Sequence, residues 1–475
     1  MKKILAILTI FFLVGSCTKL EDLNKNTKDP SEVSGESLFT NAQKALVDQV
    51  VNSNVNNNIF RLIVQYWTET TYTDESNYDL DTRTIPDDHW DILYRDVLKD
   101  FDESAKIIEK TTYETTENPS VKKNKLAIIE IMTVYTYSYL VETFGNVPYS
   151  QALSLNTPLP KYDDGLTIYK DLISRINAAM GKLDQSQASF DNADNIYKGD
   201  VVLWYKFANS LKLRMGMLLA DCDAATAKSS VESAAPHVIS SNKENAAMVY
   251  GGYAPIWNPL YDDLIASGRH DFVPTSKIID PMNTLEDPRR PFYFTTIDGE
   301  YVGGENGASN DFTAFSHVSD KIQVKIFEGM VFDYAETEFL LAEARERGFA
   351  VGGTAADHYA KGIRASIEYW GGTTADADKY LSNPKVTYST AVGTWKEKIG
   401  FQFWLALYNR GWEAWTVYRR LDYPILEAPA DAVSALPLRF TYPINEQTLN
   451  GANYNSAATA IGGDEVDTKL FFDKY

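Results

Sequence analysis

The chain has 475 residues, with 45 Lys and Arg against 65 Asp and Glu and a formal net charge of −20. Such a balance speaks against nucleic acid, whose capture rests on neutralising phosphates, and against electrostatic docking on anionic lipid head groups. With Cys17 and Cys222 as the only cysteines there is no disulfide framework, so stability has to come from an apolar core, and the length predicts one large domain or two intimate ones.

Lys2 and Lys3 precede an apolar run from Ile4 to Val14, and Gly15 and Ser16 lead to Cys17. A charged start, a short apolar core and a small-residue exit predict a secretory signal over 1–16. The run is too short to cross a bilayer, which takes roughly 20 apolar residues. Leu13-Val14-Gly15-Ser16-Cys17 looks like a bacterial lipobox, which predicts lipidation of Cys17 and a membrane link through lipid only. Residues 17–35 are polar, rich in Asn and Lys and marked by Asp29-Pro30, and read as a tether. A single domain is expected over 36–475.

Helical periodicity dominates that domain. Trp90, Leu93, Tyr94, Val97, Leu98 and Phe101 fall on one face of a helix, as do Trp204, Phe207, Ala208, Leu211, Met215 and Leu218. Further stripes run through Leu166–Leu183, Val331–Ala342 and Tyr359–Trp370. The helices pair in sequence as 88–110 with 121–144, 163–184 with 200–221, 332–348 with 355–370, and 395–408 with 411–421. Each pair has roughly the size of a tetratricopeptide unit, about 34 residues. The fold class is therefore mainly α: tetratricopeptide-like helical pairs in an α-α superhelix, with a loop-rich, irregular part that bears the ligand site.

That irregular part is 245–331. Gly251-Gly252, Pro255, Pro259, Pro288, Pro291 and Gly303-Gly304 break any long helix there, while Trp257, Tyr261, Phe312 and Tyr301 keep it rich in rings. Loops carried on a rigid frame are where binding residues concentrate. The tail 422–475 is similarly irregular.

The five histidines show no zinc-ligand spacing, and no nucleophile elbow, phosphate loop, dinucleotide fingerprint or calcium loop is present. No cofactor and no metal is expected, and the reading is of a binding protein, not an enzyme. A protein-only interaction scaffold and a surface hydrolase are the other classes weighed. Trp67, Tyr72 and Tyr78 stand among Thr70, Thr71, Thr73, Asp74 and Asn77, where flat rings and polar groups suit a sugar or an extended peptide. With Trp257, Tyr261 and Tyr301 they form the expected ligand-binding set. Trp404, Tyr408, Trp412 and Trp415, at helical spacing, are expected in the core, and Arg289 and Arg290 as anchors of their loop through ion pairs.

Several blocks in fixed order carry a resemblance. They are the lipobox with Asp29-Pro30, Leu38-Phe39-Thr40-Asn41-Ala42-Gln43, Trp90 with Tyr94, and Tyr139 to Tyr149 (YLVETFGNVPY). Tyr334 to Ala344 (YAETEFLLAEA), Trp412 to Arg420 (WEAWTVYRR) and Arg439 to Glu446 (RFTYPINE) complete the series. The chain resembles the SusD/RagB family of nutrient-binding outer-membrane lipoproteins over nearly its whole length, in its SusD-like branch. The resemblance implies four tetratricopeptide-like pairs and a location on the outer membrane, facing the cell exterior. It also implies a SusC-like TonB-dependent transporter as partner and a glycan or oligopeptide as cargo.

Overall fold

A computed structural model of the chain describes residues 33–80, 82–111 and 119–474. The expected signal over 1–16, the Cys17 lipidation site and the tether up to Pro30 lie outside the described residues. Side-chain caps start most helices by accepting hydrogen bonds from first-turn amides. Ser34 opens α1 (Gly35–Val51) in this way. Farther along, α2 (Lys99–Lys110) and α3 (Pro119–Phe144) are followed by α4 (Gly165–Met180), capped by Asp164, and α5 (Val201–Leu218), capped by Asp200. Asp223 caps α6 (Ala224–Ala234), Asp333 caps α7 (Tyr334–Glu346) and Thr354 caps α8 (Ala355–Trp370). Thr373 and Thr394 close capping boxes at α9 (Thr374–Leu381) and α10 (Trp395–Ala406), and α11 is Gly411–Leu421.

The chain is mainly helical and its helices stack in sequence. All four pairs expected from periodicity are in contact, and the stack runs on between them: α1 lies on α2, α3 on α4, and α5 on α6. The apolar stripes are the core. Trp204, Phe207, Leu211, Met215 and Leu218 are buried, as are Trp404, Tyr408, Trp412 and Trp415. Close approach explains one small residue, because a Cβ at Gly362 in α8 would stand 2.9 Å from the ring of Phe339 in α7. One departure from the expected periodicity precedes α2. The α-helical turns Ile85–Asp91 pass into a π-helix, Ile92–Leu98, instead of continuing regularly to Lys110. In that wide turn the Tyr94 hydroxyl donates to the Pro148 carbonyl at 2.6 Å.

Outside the helices lie short antiparallel ribbons of two strands. In chain order the strands are β1 (Trp67–Glu69), β2 (Val147–Pro148), β3 (Tyr162–Asp163), β4 (Ala246–Met248), β5 (Phe272–Pro274) and β6 (Gly329–Phe332). They pair as β1 with β5, β2 with β3 and β4 with β6. The ribbon of β1 and β5 joins the segment after α1 to the loop-rich insertion, in the register Trp67 to Pro274 and Glu69 to Phe272. Among the described residues, no helix is long and apolar enough to cross a membrane.

Candidate ligand surface

The backbone pairing of β1 with β5 continues past the strands. The Thr70 amide donates to the Asp271 carbonyl at 2.8 Å, and its hydroxyl donates to the His270 carbonyl at 2.7 Å. From the other side, the Asn310 amide and the Ser309 hydroxyl both donate to the Thr70 carbonyl, at 3.2 and 3.0 Å. The Asn77 amide group donates to the Gly307 carbonyl at 2.8 Å. Gly307 has φ +76, and a Cβ there would stand 2.5 Å from Pro429. Three loops, around 70–77, 267–272 and 305–317, are thus fastened into one edge of the molecule.

That edge presents rings. Tyr72 is 77% exposed, in a left-handed backbone conformation with φ +55. In the facing loop, Arg269 pairs with Asp271 at 2.7 Å. His270 stacks on Phe312 with centroids 4.3 Å apart, and Phe312 stacks on His317 at 3.8 Å. His317 is held through its Nε2, 2.8 Å from the Phe312 carbonyl. The result is a column of three flat rings on the same edge as the exposed Tyr72, in a loop that also carries Ser309, Asp311 and Thr313.

Two expected site residues are corrected by burial. Trp67 is 1% exposed; its Nε1 donates to the Tyr408 hydroxyl at 3.0 Å, and the Arg61 guanidinium lies 5.1 Å from its ring centre. Tyr78 is also 1% exposed and its hydroxyl accepts from Gln65. For Tyr78 the cause is the C-terminal tail. The Val433 amide donates to the Asn77 carbonyl, the Ser434 hydroxyl donates to the Tyr78 carbonyl, and Gln65 reaches the Glu427 carbonyl. This cover leaves Tyr78 no face for a ligand, and Tyr408, Phe272 and Arg61 close around Trp67.

The remaining expected residues fall in two further places. Trp257 and Tyr261 are half-buried, 5.0 Å apart, and share the Lys325 ammonium, which stands 4.9 and 5.0 Å from the two ring centres. Exposed Tyr253 and Ile326 border them. The π-helical turn Asp262–Ala266 leads from this cluster to Arg269. Tyr301 stands elsewhere, half-buried under the Arg290 guanidinium at 5.3 Å, in a cleft of 740 Å³. Sequence reasoning missed His270, His317, Arg269 and Lys325. The available signal was a histidine on either side of Phe312 within one loop-rich segment.

The Tyr72 loop is closed at its base by a carboxyl pair. Glu69 and Glu75 are both buried; the Ser76 amide donates to Glu69 Oε2, and the Glu69 amide donates to Ser76 Oγ, each at 2.9 Å. Arg83 Nη1 lies 2.7 Å from Glu75. Burial, reinforced by the Glu75 charge, pushes the Glu69 carboxyl well above the usual carboxylate range. The native state therefore keeps a proton that the unfolded chain releases above about pH 4.3. Stability from this group is fully present in acid and falls as pH rises from there through neutrality. Glu69→Gln is expected to gain stability over the parent by about 1 kcal/mol for each pH unit in that window. Urea unfolding at pH 5 and pH 8 checks it, and an equal difference at both pH values would refute the shared proton.

Among the described residues, no group of three or more His, Cys, Asp or Glu is placed to hold a metal ion. A family model of SusD-like proteins, described as "Starch-binding associating with outer membrane", matches residues 27–443. A solved structure described as a chitin-binding protein is 26% identical with a TM-score of 0.78, over 93% of this chain and 100% of its own. A SusD homolog from Bacteroides uniformis ATCC 8492 is 28% identical with a TM-score of 0.77, over 92% of this chain and 99% of its own. A chitin-binding SusD homolog from Flavobacterium johnsoniae, 23% identical with a TM-score of 0.74 over 92% and 97%, shares the fold. No curated protein sequence matches the chain.

Proposed function

Since the chain belongs to the SusD-like family of starch-binding proteins that associate with the outer membrane, we propose that it captures glycan oligomers at the cell surface and delivers them to a SusC-like TonB-dependent barrel. The carrying observation is the edge that bears both the exposed Tyr72 and the His270–Phe312–His317 column. A sugar ring offers an apolar face and a belt of hydroxyls. The first stacks on a flat ring, and the second is oriented by side chains such as Ser309, Asp311 and Arg269. The Trp257–Tyr261 pair supplies a second stacking position within the same insertion. Glycan is favoured over oligopeptide because the family description names starch and a relative at 26% identity is described as chitin-binding.

Catalysis has no part in this reading. The anchor is lipid at Cys17 and the face presented is the cell exterior. A protein held by lipid has no path of its own for cargo, so the barrel supplies the passage, and the stacked helices offer broad rigid faces for docking on it. The test has two arms. Purified mature protein should bind chitin or starch oligomers and ignore a neutral peptide of similar length. Protein recovered in mild detergent from its native membrane should bring a barrel with it. Preference for the peptide, or recovery of the protein alone, would overturn the corresponding half of the proposal.

A further inference from the structure

The cleft that holds Tyr301 differs in charge from the rest of the molecule. It lies between the 284–292 turn and the end of α9, and none of its lining residues belongs to the Tyr72 edge. Of its acidic wall residues Glu286, Asp287 and Asp376, Asp287 is fully buried and bound to Arg289 at 2.5 Å, so that charge is spent inside the fold. The Asp376 carboxylate accepts from the amide and hydroxyl of Thr373 in the capping box of α9.

The cations are placed otherwise. Arg290 was expected to anchor its loop through an ion pair, but its hydrogen bonds go to neutral acceptors: Nε to the Asp287 carbonyl at 3.0 Å and Nη1 to Asn283 Oδ1 at 2.9 Å. Asn283 in turn donates to the Tyr301 carbonyl. The guanidinium is thereby fixed in position over the Tyr301 ring with no ion pair of its own among the described residues. Lys385 is exposed at the opposite lip and has no ion pair among the described residues. Lys379 approaches Glu286 no nearer than 4.0 Å, with both side chains largely exposed. With Asp287 spent on Arg289, the lining cations Arg290, Lys379 and Lys385 outnumber the remaining carboxylates Glu286 and Asp376 by one, around an aromatic floor and in a chain of net charge −20.

We propose that the Tyr301 cleft is a second carbohydrate site, specific for a sugar residue bearing a carboxylate, which sits between Arg290 and Lys385 while the ring lies against Tyr301. A fixed guanidinium meets a carboxylate in two parallel hydrogen bonds, the geometry that favours arginine over lysine for this task. The preorganisation by Asn283 and the Asp287 carbonyl lowers the ordering cost of that contact. Lys385, a mobile point charge, adds attraction without fixing orientation. The site does not depend on the Tyr72 edge, so each can fail without the other.

The experiment is calorimetric titration of the mature protein with oligogalacturonate and with its fully methyl-esterified, uncharged counterpart. The acidic oligomer should bind about tenfold more tightly, and that margin should shrink as salt is raised. Arg290→Gln should remove most of the margin. Lys385→Glu, at an exposed position that cannot disturb the core, should lower acidic affinity severalfold and keeps the test open if the arginine variant folds poorly. Tyr72→Ala should leave acidic binding unchanged even where it abolishes capture of neutral glycan. Equal affinity for charged and esterified oligomers, indifference to Lys385→Glu, loss of acidic binding with Tyr72→Ala, or equally tight binding of polyglutamate would each overturn the assignment.

Discussion

Alanine at Trp67 or Tyr78 is expected to lower stability by about 3–5 kcal/mol, while Tyr72→Ala leaves the unfolding midpoint in place and abolishes capture of neutral glycan. The three residues lie within one segment of the sequence and share its composition, yet their surroundings are opposite. Trp67 is sealed by Tyr408, Phe272 and the Arg61 guanidinium, so truncation opens a cavity and strips the Tyr408 hydroxyl of a donor. Tyr78 lies under the 427–434 tail, and its loss leaves Gln65 with one partner fewer. Tyr72 touches solvent with most of its surface. Its left-handed φ adds a qualification in the same direction, since alanine tolerates φ +55 no better than tyrosine does and the strain is not relieved. Thermal unfolding separates the cases, and glycan titration on the folded variant completes the test. A stable Trp67→Ala protein would place that ring at the surface after all.

The contrast also shows where sequence reasoning stops. Stripes such as Trp204, Phe207, Leu211 and Met215 repeat with the helical period, and a period is a local property, so the helices and their apolar faces were legible. The same holds for Trp404 to Trp415. The short helices α6 and α9 were not foreseen, because a single charged face or an Ala-rich turn gives little periodic contrast over eleven or eight residues. Burial of Tyr78 depends on contacts with residues more than 340 positions away, through the Ser434 hydroxyl and the Val433 amide. Nothing within its own loop encodes that cover. The ring column is a mixed case: Phe312 and His317 are neighbours in sequence, brought face to face by the turn Phe312–Ala314, whereas His270 arrives through the ribbon of β1 and β5.

Glu336→Ala is expected to be the most damaging single change in the helical frame, at about 3–5 kcal/mol. Glu336, on α7, is 2% exposed and receives Arg214 of α5 in a two-pronged contact at 2.6 and 2.9 Å. Arg410, just before α11, donates to the same carboxylate at 2.7 Å and also lies 3.2 Å from Asp333 and from Glu413. One carboxylate therefore pairs with two buried guanidinium groups and links three helical pairs. Burial pushes the Glu336 carboxyl up, but the two arginines more than offset this and hold it below its usual value. Its stabilisation is thus present above the unfolded carboxylate range and is lost as pH falls through the lower folded value. Alanine leaves the buried Arg214 guanidinium without a carboxylate partner among the described residues and takes one of three from Arg410, a cost that repacking cannot recover because the guanidinium of Arg214 is stacked 4.5 Å from the Phe332 ring. Glu336→Gln keeps the shape and part of the hydrogen bonding while removing the charge, and should fall between parent and alanine variant. Urea unfolding at pH 7 measures the full loss, and the gap between parent and Glu336→Ala should narrow in strong acid as the parent's own carboxylate is protonated. A variant within 1 kcal/mol of the parent at pH 7, well short of the range expected for a broken buried pair, would mean that the helical pairs are held together by apolar packing alone.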